Sequence, residues 1–516
     1  MRRLSLIAGI VLPALLFGQG APAIQWKRCF GGPGYDVGYT ARQTADGGYV
    51  LIGSAAAAGA DVSENAGEPD IWVVRMNAAG APLWNTTIGG SAEDVGTAIE
   101  ETVDGGFLLV GFSSSNDGDL SASHGAYDAV VARLDANGSV LWVRQLGGSA
   151  NEMALGLVLT PDGGGIISAA SSSSNGDISD PTGGDDIWMV RVDAQGALIW
   201  ERSFGGADNE WAYHVEKGMD DNYFVSGTTR SSDGDVTGFS GVADAWVLNI
   251  RGDGTLLWQR TIGGEYDDQG NHARPTSDGG CIVTGYYRIY DPVLDYAPTY
   301  ALAAKLDSNG AIQWVRGHGG AEGETGSDIV PALGGGYILL GNAYGNDGVV
   351  VGHHGEVDAW LVRLDADGYF LWQRSYGGSG SDYGQYIQRT ADNGLLLCGT
   401  AGSSNGDVSG FLGNYDAWLI KLEPESNVGI NEDAALALPT LRVWPQPTSG
   451  LLNVALESTI RNTTLCIVDL QGRVVEQRSY AALQRTALDV QALVPGAYLL
   501  MMDRGGPRSV VRFVKE

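Results

Sequence analysis

The sequence predicts an all-β chain: a seven-bladed β-propeller of about 58-residue repeats, closed by its N-terminal strand, followed by a small Ig-like β-sandwich. Three observations carry this. A tryptophan followed five residues on by Gly-Gly recurs at Trp26, Trp84, Trp142, Trp200, Trp258, Trp314 and Trp372, with spacings of 58, 58, 58, 58, 56 and 58. Each repeat reads as four short strands separated by turn residues. The period stops at Leu422, and a different pattern of alternating strands fills the chain from Leu441.

The repeat ending at Leu422 shows the strands in order. Tyr386–Thr390 alternates as a first strand, Ala391-Asp392-Asn393-Gly394 is a tight turn, and Leu395–Thr400 is a more apolar second strand. A longer loop containing Asn405-Gly406-Asp407 leads to a third strand, Asp416–Leu422. In the preceding copies, an Asp-x-x-Gly turn such as Asp365–Gly368 then leads to the tryptophan strand, here Leu371–Arg374. An Asp-first, Gly-last tetrapeptide suits a type I turn with a glycine-permitted bulge. The array begins with a lone tryptophan strand and ends with a lone Asp-Ala-Trp strand. These two are expected to pair and bring Trp26 beside Trp418, because closure removes exposed sheet edges.

Composition limits the partners. The chain of 516 residues carries 61 acidic and 31 basic side chains, a net charge of −30. A nucleic-acid ligand needs a basic footprint, so none is expected, and an anionic membrane surface is disfavoured for the same reason. Met1-Arg2-Arg3, the apolar run Leu4–Phe17 and Ala21-Pro22-Ala23 form a signal-peptide pattern over residues 1–23, with the mature chain starting near Ile24. No other long apolar run suggests a membrane span. Cys29, Cys281, Cys398 and Cys466 are too scattered for a disulfide framework and are expected to be mostly free, buried thiols.

The repeated signatures have structural readings. Tryptophans of the third strand (Trp72, Trp188, Trp246, Trp360, Trp418) sit where blades must pack. A carboxylate always follows Gly-Gly by four residues: Asp36, Asp94, Glu152, Glu210, Asp268, Glu324 and Asp382. Such a group can accept backbone N–H bonds at each crossover, and a cation-collecting ring is the sharper alternative. The Gly-Asp loops place Asp119, Asp177, Asp235 and Asp407 ahead of the third-strand Asp128, Asp186, Asp244 and Asp416 of the same repeat, a pairing that could hold calcium. No other cofactor is expected.

A ligand site should appear where one repeat departs from its siblings. The first strand is expected to line the central channel. Its second position reads Thr40, Ala98, Gly156, His214, His272, Asp328 and Tyr386, and its fourth Arg42, Glu100, Val158, Glu216, Arg274, Val330 and Gln388. His214, Glu216, His272, Arg274, Asp328 and Tyr386 thus form a candidate acid–base or anion-binding group in the channel mouth, with a solvated channel lining as the plainer reading. In the fifth repeat the Gly-Asp loop is replaced by a tyrosine-rich one, and Tyr286, Tyr287, Arg288, Tyr290 and Tyr296 are candidates for a carbohydrate platform. His353-His354 lacks a third ligand nearby in sequence.

From Leu441 the motifs are Val443-Trp444-Pro445-Gln446-Pro447, Asp469-Leu470-Gln471-Gly472-Arg473, Pro495-Gly496-Ala497-Tyr498 and a terminal Val514-Lys515. They resemble the type A C-terminal sorting domain of type IX secretion substrates in the Bacteroidota, with Pro-Gln-Pro where Pro-Asn-Pro is usual. The resemblance implies secretion across the outer membrane by the type IX machinery, to the cell surface or the medium. The repeats are similar to Gly-rich propeller arrays of such proteins, whose function is generally unassigned. Asp193–Trp200 resembles the tryptophan-docking motif of quinoproteins, but an eighth blade, an adjacent cysteine pair and a cofactor-binding constellation are missing from the sequence. The expected organisation is therefore 1–23 signal peptide, 24–422 propeller, 423–440 linker and 441–516 sorting domain. The leading functional expectation is a binding scaffold for a polysaccharide or surface protein. A carbohydrate-active hydrolase or lyase and a calcium-stabilised structural protein are the alternatives.

Overall fold

The structure, a computed structural model, describes residues 21–290, 296–425, 441–445, 447–469, 474–503 and 509–515. The signal-peptide stretch up to residue 20 and most of the expected linker lie outside them. The chain divides into two compact units, the repeat array and the C-terminal module.

The array folds into seven four-stranded antiparallel sheets. Blade one, for example, comprises Val37–Gln43, Tyr49–Ala55, Asp70–Met76 and Pro82–Ile88, ordered from the innermost strand outward. The seventh sheet is composite, with Ile24–Phe30 paired to Asp416–Leu422 as its outer strand. Its register corrects the sequence expectation: Cys29, and not Trp26, lies opposite Trp418, and Trp26 faces Lys421. The inner strand also starts earlier than Tyr386, running Asp382–Arg389, because the carboxylate that opens it is already in the ladder.

The core is distributed. Seven apolar clusters each join two neighbouring blades, and one of them joins blade seven to blade one through Phe30, Leu51, Trp72, Leu396 and Leu419. The third-strand tryptophans Trp72, Trp188, Trp246 and Trp360 are fully buried within these clusters. Six of the seven outer-strand tryptophans, all but Trp372, do something else: they roof the turn glycine of the next blade. A Cβ on Gly138 would stand 2.6 Å from Trp84, and on Gly368 2.5 Å from Trp314, so both ends of the repeat signature form one contact between blades. The Asp-x-x-Gly turns form as expected, with Asp135 Oδ1 accepting the N–H groups of Asn137 (2.8 Å) and Ser139 (2.9 Å).

Cys29, Cys281 and Cys398 are buried free thiols. Glu425, in the expected linker, is held on the propeller by Arg363 (3.1 Å) and Arg389 (2.9 Å). The C-terminal module is a five-stranded sheet in which Leu451–Asp469 pairs with both Val474–Asp489 and Gly496–Asp503. One cluster, including Leu452, Ile467, Leu488, Leu500 and Phe513, forms the core of this small sandwich. Among the described residues, no helix is long and apolar enough to cross a membrane.

Candidate functional site: the channel cluster and an aromatic pocket

Every inner strand of the ring carries a register break just before its second channel position, at Gly38/Thr40, Gly96/Ala98, Ala154/Gly156, Ala212/His214, Gly270/His272, Gly326/Asp328 and Gly384/Tyr386. A bulge bends a strand and re-aims the side chain beside it. Repeated seven times, it turns one residue per blade toward the others, and the sequence candidates from blades four to seven do converge.

Asp328 is the hub. It is fully buried and accepts hydrogen bonds from Arg274 Nε (3.2 Å) and Nη2 (2.8 Å), from the backbone N–H of Ile329 (2.7 Å) and Ile387 (3.0 Å), and lies 3.0 Å from His272 Nδ1. Arg274 Nη1 reaches Glu216 at 2.5 Å. The His214 and His272 rings lie against each other with centroids 3.6 Å apart and planes tilted by 31°. Tyr386 lies between two guanidinium groups, with Arg42 at 5.0 Å and Arg274 at 5.1 Å from its ring centroid, and Arg42 pairs with Glu100.

Burial sets the titration of this cluster. It lowers the pKa of His214 and His272 below the ordinary imidazole value, favouring the neutral rings. Burial also works against the Glu216 carboxylate, but Arg274, His272, His214 and Arg42 together hold its pKa well below the usual range. Burial pushes the Tyr386 phenol up to about 12. Four buried polar atoms of the cluster have no hydrogen-bond partner: Arg42 Nε, His214 Nδ1, His272 Nε2 and Tyr386 Oη.

The fifth-repeat candidates make separate contacts. Tyr286 donates to Asp267 (2.7 Å). Tyr287 packs against the core between blades four and five, Arg288 donates to Thr299 (3.1 Å), Tyr290 is about half exposed, and Tyr296 donates to the Ala321 carbonyl. Tyr286 instead completes a pocket of about 330 Å³ with Asp185, Trp211, Tyr213, Arg230 and Asp267. Trp211 Nε1 donates to Asp185 (2.9 Å), so the indole and the Tyr286 ring are each fixed by a carboxylate. Trp211 and Tyr213 are absent from the sequence candidates because they occupy the strand upstream of the bulge. The signal was there: the corresponding pairs elsewhere are Val37/Tyr39, Val95/Thr97, Met153/Leu155, Gln269/Asn271, Thr325/Ser327 and Tyr383/Gln385, so blade four is unique in carrying Trp-x-Tyr.

The junction carboxylates are arranged differently from the sequence pairing. Each of the seven that follow Gly-Gly is fully buried and accepts the N–H of the second glycine, at 2.6–2.8 Å, as in Gly90 to Asp94 (2.8 Å) and Gly148 to Glu152 (2.6 Å). The third-strand aspartate belongs to the same junction but comes from the preceding blade, so that a Cβ on Gly147 would meet both Asp128 and Glu152. The loop aspartate joins them through that glycine: Asp177 donates its N–H to the Gly147 carbonyl (3.0 Å) and accepts the Gly147 N–H (3.0 Å). Asp177 is thus grouped with Asp128, not with Asp186, and Asp235 by the same bonds to Gly205 with Asp186, not with Asp244. Asp119 and Asp407 bond the corresponding Gly89 and Gly377, beside Asp70 and Asp358, and Asp416 flanks Gly31 with Asp36. At the junction of blades five and six, Tyr300 and Val349 replace both aspartates.

Residues 442–516 match the family model for the secretion system C-terminal sorting domain. The regulatory protein FlaEY of Caulobacter vibrioides is 26% identical over 195 residues, 34% of this chain and 20% of that protein, so the match spans about a fifth of that relative's length. Among solved structures, a protein of unknown function from Bacteroides caccae aligns with a TM-score of 0.36 at 15% identity, covering 64% of this chain and 93% of that one. The Pan2 WD40 domain of Neurospora crassa aligns with a TM-score of 0.42 at 10% identity, covering 75% and 89%. The propeller assignment rests on the seven sheets and their closure.

Proposed function

The chain is a type IX secretion substrate by its C-terminal tail, and from that premise we propose that its propeller works at the cell surface or in the medium as a carbohydrate-binding module. The observation that carries this is the pocket between blades four and five. Trp211, Tyr213 and Tyr286 supply aromatic faces, and Asp185, Asp267 and Arg230 supply acceptors and donors around them. Apolar sugar faces stack on aromatic rings while ring hydroxyls need a few fixed polar partners, and a pocket of this kind meets both needs. Because the indole and the phenol are already bonded to carboxylates, little side-chain freedom is lost on binding. The pocket combines two carboxylates with one arginine, which favours a neutral saccharide over a polyanion.

A hydrolase or lyase built on His214, Glu216, His272 and Asp328 draws less support. Both carboxylates are engaged by the same arginine, leaving neither as a free proton donor. The test is retention of the full chain on a panel of immobilised neutral and acidic polysaccharides, with product formation monitored in the same samples. Trp211→Ala and Tyr286→Ala are each expected to lower affinity for a retained neutral glycan at least tenfold without releasing products. Equal retention of wild type and both variants, or release of products, would overturn the reading.

A further inference from the structure

The channel cluster has a feature that ion pairing alone leaves unexplained. His214, Glu216 and His272 come from the inner strands of two adjacent blades, Glu210–Lys217 and Gln269–Pro275. Their candidate ligand atoms all lie within 4.8 Å of one another. His272 Nε2 is 3.6 Å from Glu216 Oε1, too far for a hydrogen bond, and it and His214 Nδ1 are both buried without a partner. An unpaired buried nitrogen costs free energy, and two of them in one cluster with a carboxylate call for a shared partner.

We propose that the channel of this propeller holds one divalent transition-metal ion, with zinc the best fit, on His214, His272 and Glu216. Two imidazoles and one carboxylate are a borderline donor set that suits zinc over calcium or magnesium, which take oxygen ligands. The other nitrogen of His272 is oriented by Asp328 at 3.0 Å, the carboxylate–histidine arrangement that fixes ring orientation and raises ligand basicity at metal centres. Charge agrees: three carboxyl groups, Glu100, Glu216 and Asp328, face two guanidinium groups, Arg42 and Arg274. A carboxylate has two oxygens, so Glu216 can keep one on Arg274 while the other turns to the ion. Metal–ligand bonds of about 2.0–2.2 Å require the three side chains to draw inward. The ion would tie blade four to blade five, the two blades that supply most of the aromatic pocket.

The probe is cobalt(II), whose visible spectrum reports coordination directly, added to the full chain after chelator treatment, with zinc in competition. One equivalent should bind with the intense visible bands of a low-coordinate nitrogen–oxygen site and be displaced by zinc. His272→Ala should weaken binding more than 100-fold, and Tyr386→Phe should change it less than twofold. If His272→Ala fails to fold, His214→Ala, whose Nδ1 has no hydrogen bond to lose, carries the same test. The proposal falls if the wild-type chain binds neither metal, or if binding persists in the histidine variants, as it would at His353-His354 or another surface position.

Discussion

The blade junctions and the channel use the same seven inner strands in opposite ways. At the junctions, the residue that opens or immediately precedes each strand is always a carboxylate, always buried and always bonded to the second glycine of the crossover. Four and six residues further along, the same strands carry two histidines, three acids, two arginines and a tyrosine, and only blade three has small or apolar residues, Gly156 and Val158, at both positions. What every blade needs is repeated, and what the assembled ring needs once is distributed among blades. The difference teaches that in a repeat protein identical positions report the scaffold, whereas a set of unlike residues at equivalent positions reports a shared site.

Four substitutions sharpen this contrast. The largest effect is expected in the channel. Arg274→Met would leave Asp328 and Glu216 buried without their shared cation and should cost about 3–5 kcal/mol of stability by denaturant unfolding. A loss below about 1 kcal/mol would mean that the cluster is solvated and replaceable, contrary to its burial. At a junction, Gly89→Ala puts a methyl 2.2 Å from Asp70 Oδ1 and 2.9 Å from Asp94 Oδ2, and should cost about 1–3 kcal/mol. Tolerance there would show that the paired carboxylates can part freely.

The smallest effect is expected from titration. Burial raises Asp70, Asp268 and Asp416 to about 6, Asp244 to about 7 and Glu324 to about 8. These folded-state values exceed those of the unfolded chain, so the stabilisation they bring is complete below about pH 4 and is lost as pH rises through 6 to 8. Asp46 and Asp104, lowered to about 2 chiefly by the hydroxyls of Thr44 and Thr102, act in the opposite sense only below about pH 4. Glu324→Gln should therefore be more stable than wild type at pH 8 and match it at pH 5, as read by denaturant midpoints. A lower midpoint at pH 8 would refute the assignment. Added calcium is expected to leave the wild-type midpoint at pH 8 unchanged, and a rise abolished by Asp70→Asn would convert the paired carboxylates into cation sites.

Much of the ring was legible in the sequence, because turns and strands are local and the repeat supplies seven readings of the same signal. The Asp-x-x-Gly turns, the four strands and the composite seventh sheet follow from residue type and spacing. Channel convergence was legible too, since equivalent positions in a closed ring must face a common axis. Register was not: whether Trp26 or Cys29 faces Trp418 depends on where a strand begins, and alternation alone does not fix that. The expected aspartate pairs are regrouped for a related reason. Asp119 and Asp128 belong to one repeat, but the loop between them folds over the preceding blade, so spatial neighbours come from different repeats. Trp211 and Tyr213 were hidden by the bulge, which separates the part of the strand aimed into the channel from the part that faces the pocket.

Joining the strand Ile24–Phe30 to Asp416–Leu422 has a consequence for how such an array changes length. The entropy lost in bringing two chain ends together grows only with the logarithm of the intervening length, about 0.6 kcal/mol for each doubling. Adding or deleting a whole 58-residue unit therefore alters the closure term by a small fraction of that amount. What holds the number at seven is angular fit between neighbouring blades, set by the apolar clusters and crossover glycines, rather than the entropy of tying the ends together. Duplication and loss of units are then inexpensive for the chain as a polymer and demanding only for its packing, which makes the wedge angle of a single blade the quantity that selection must preserve.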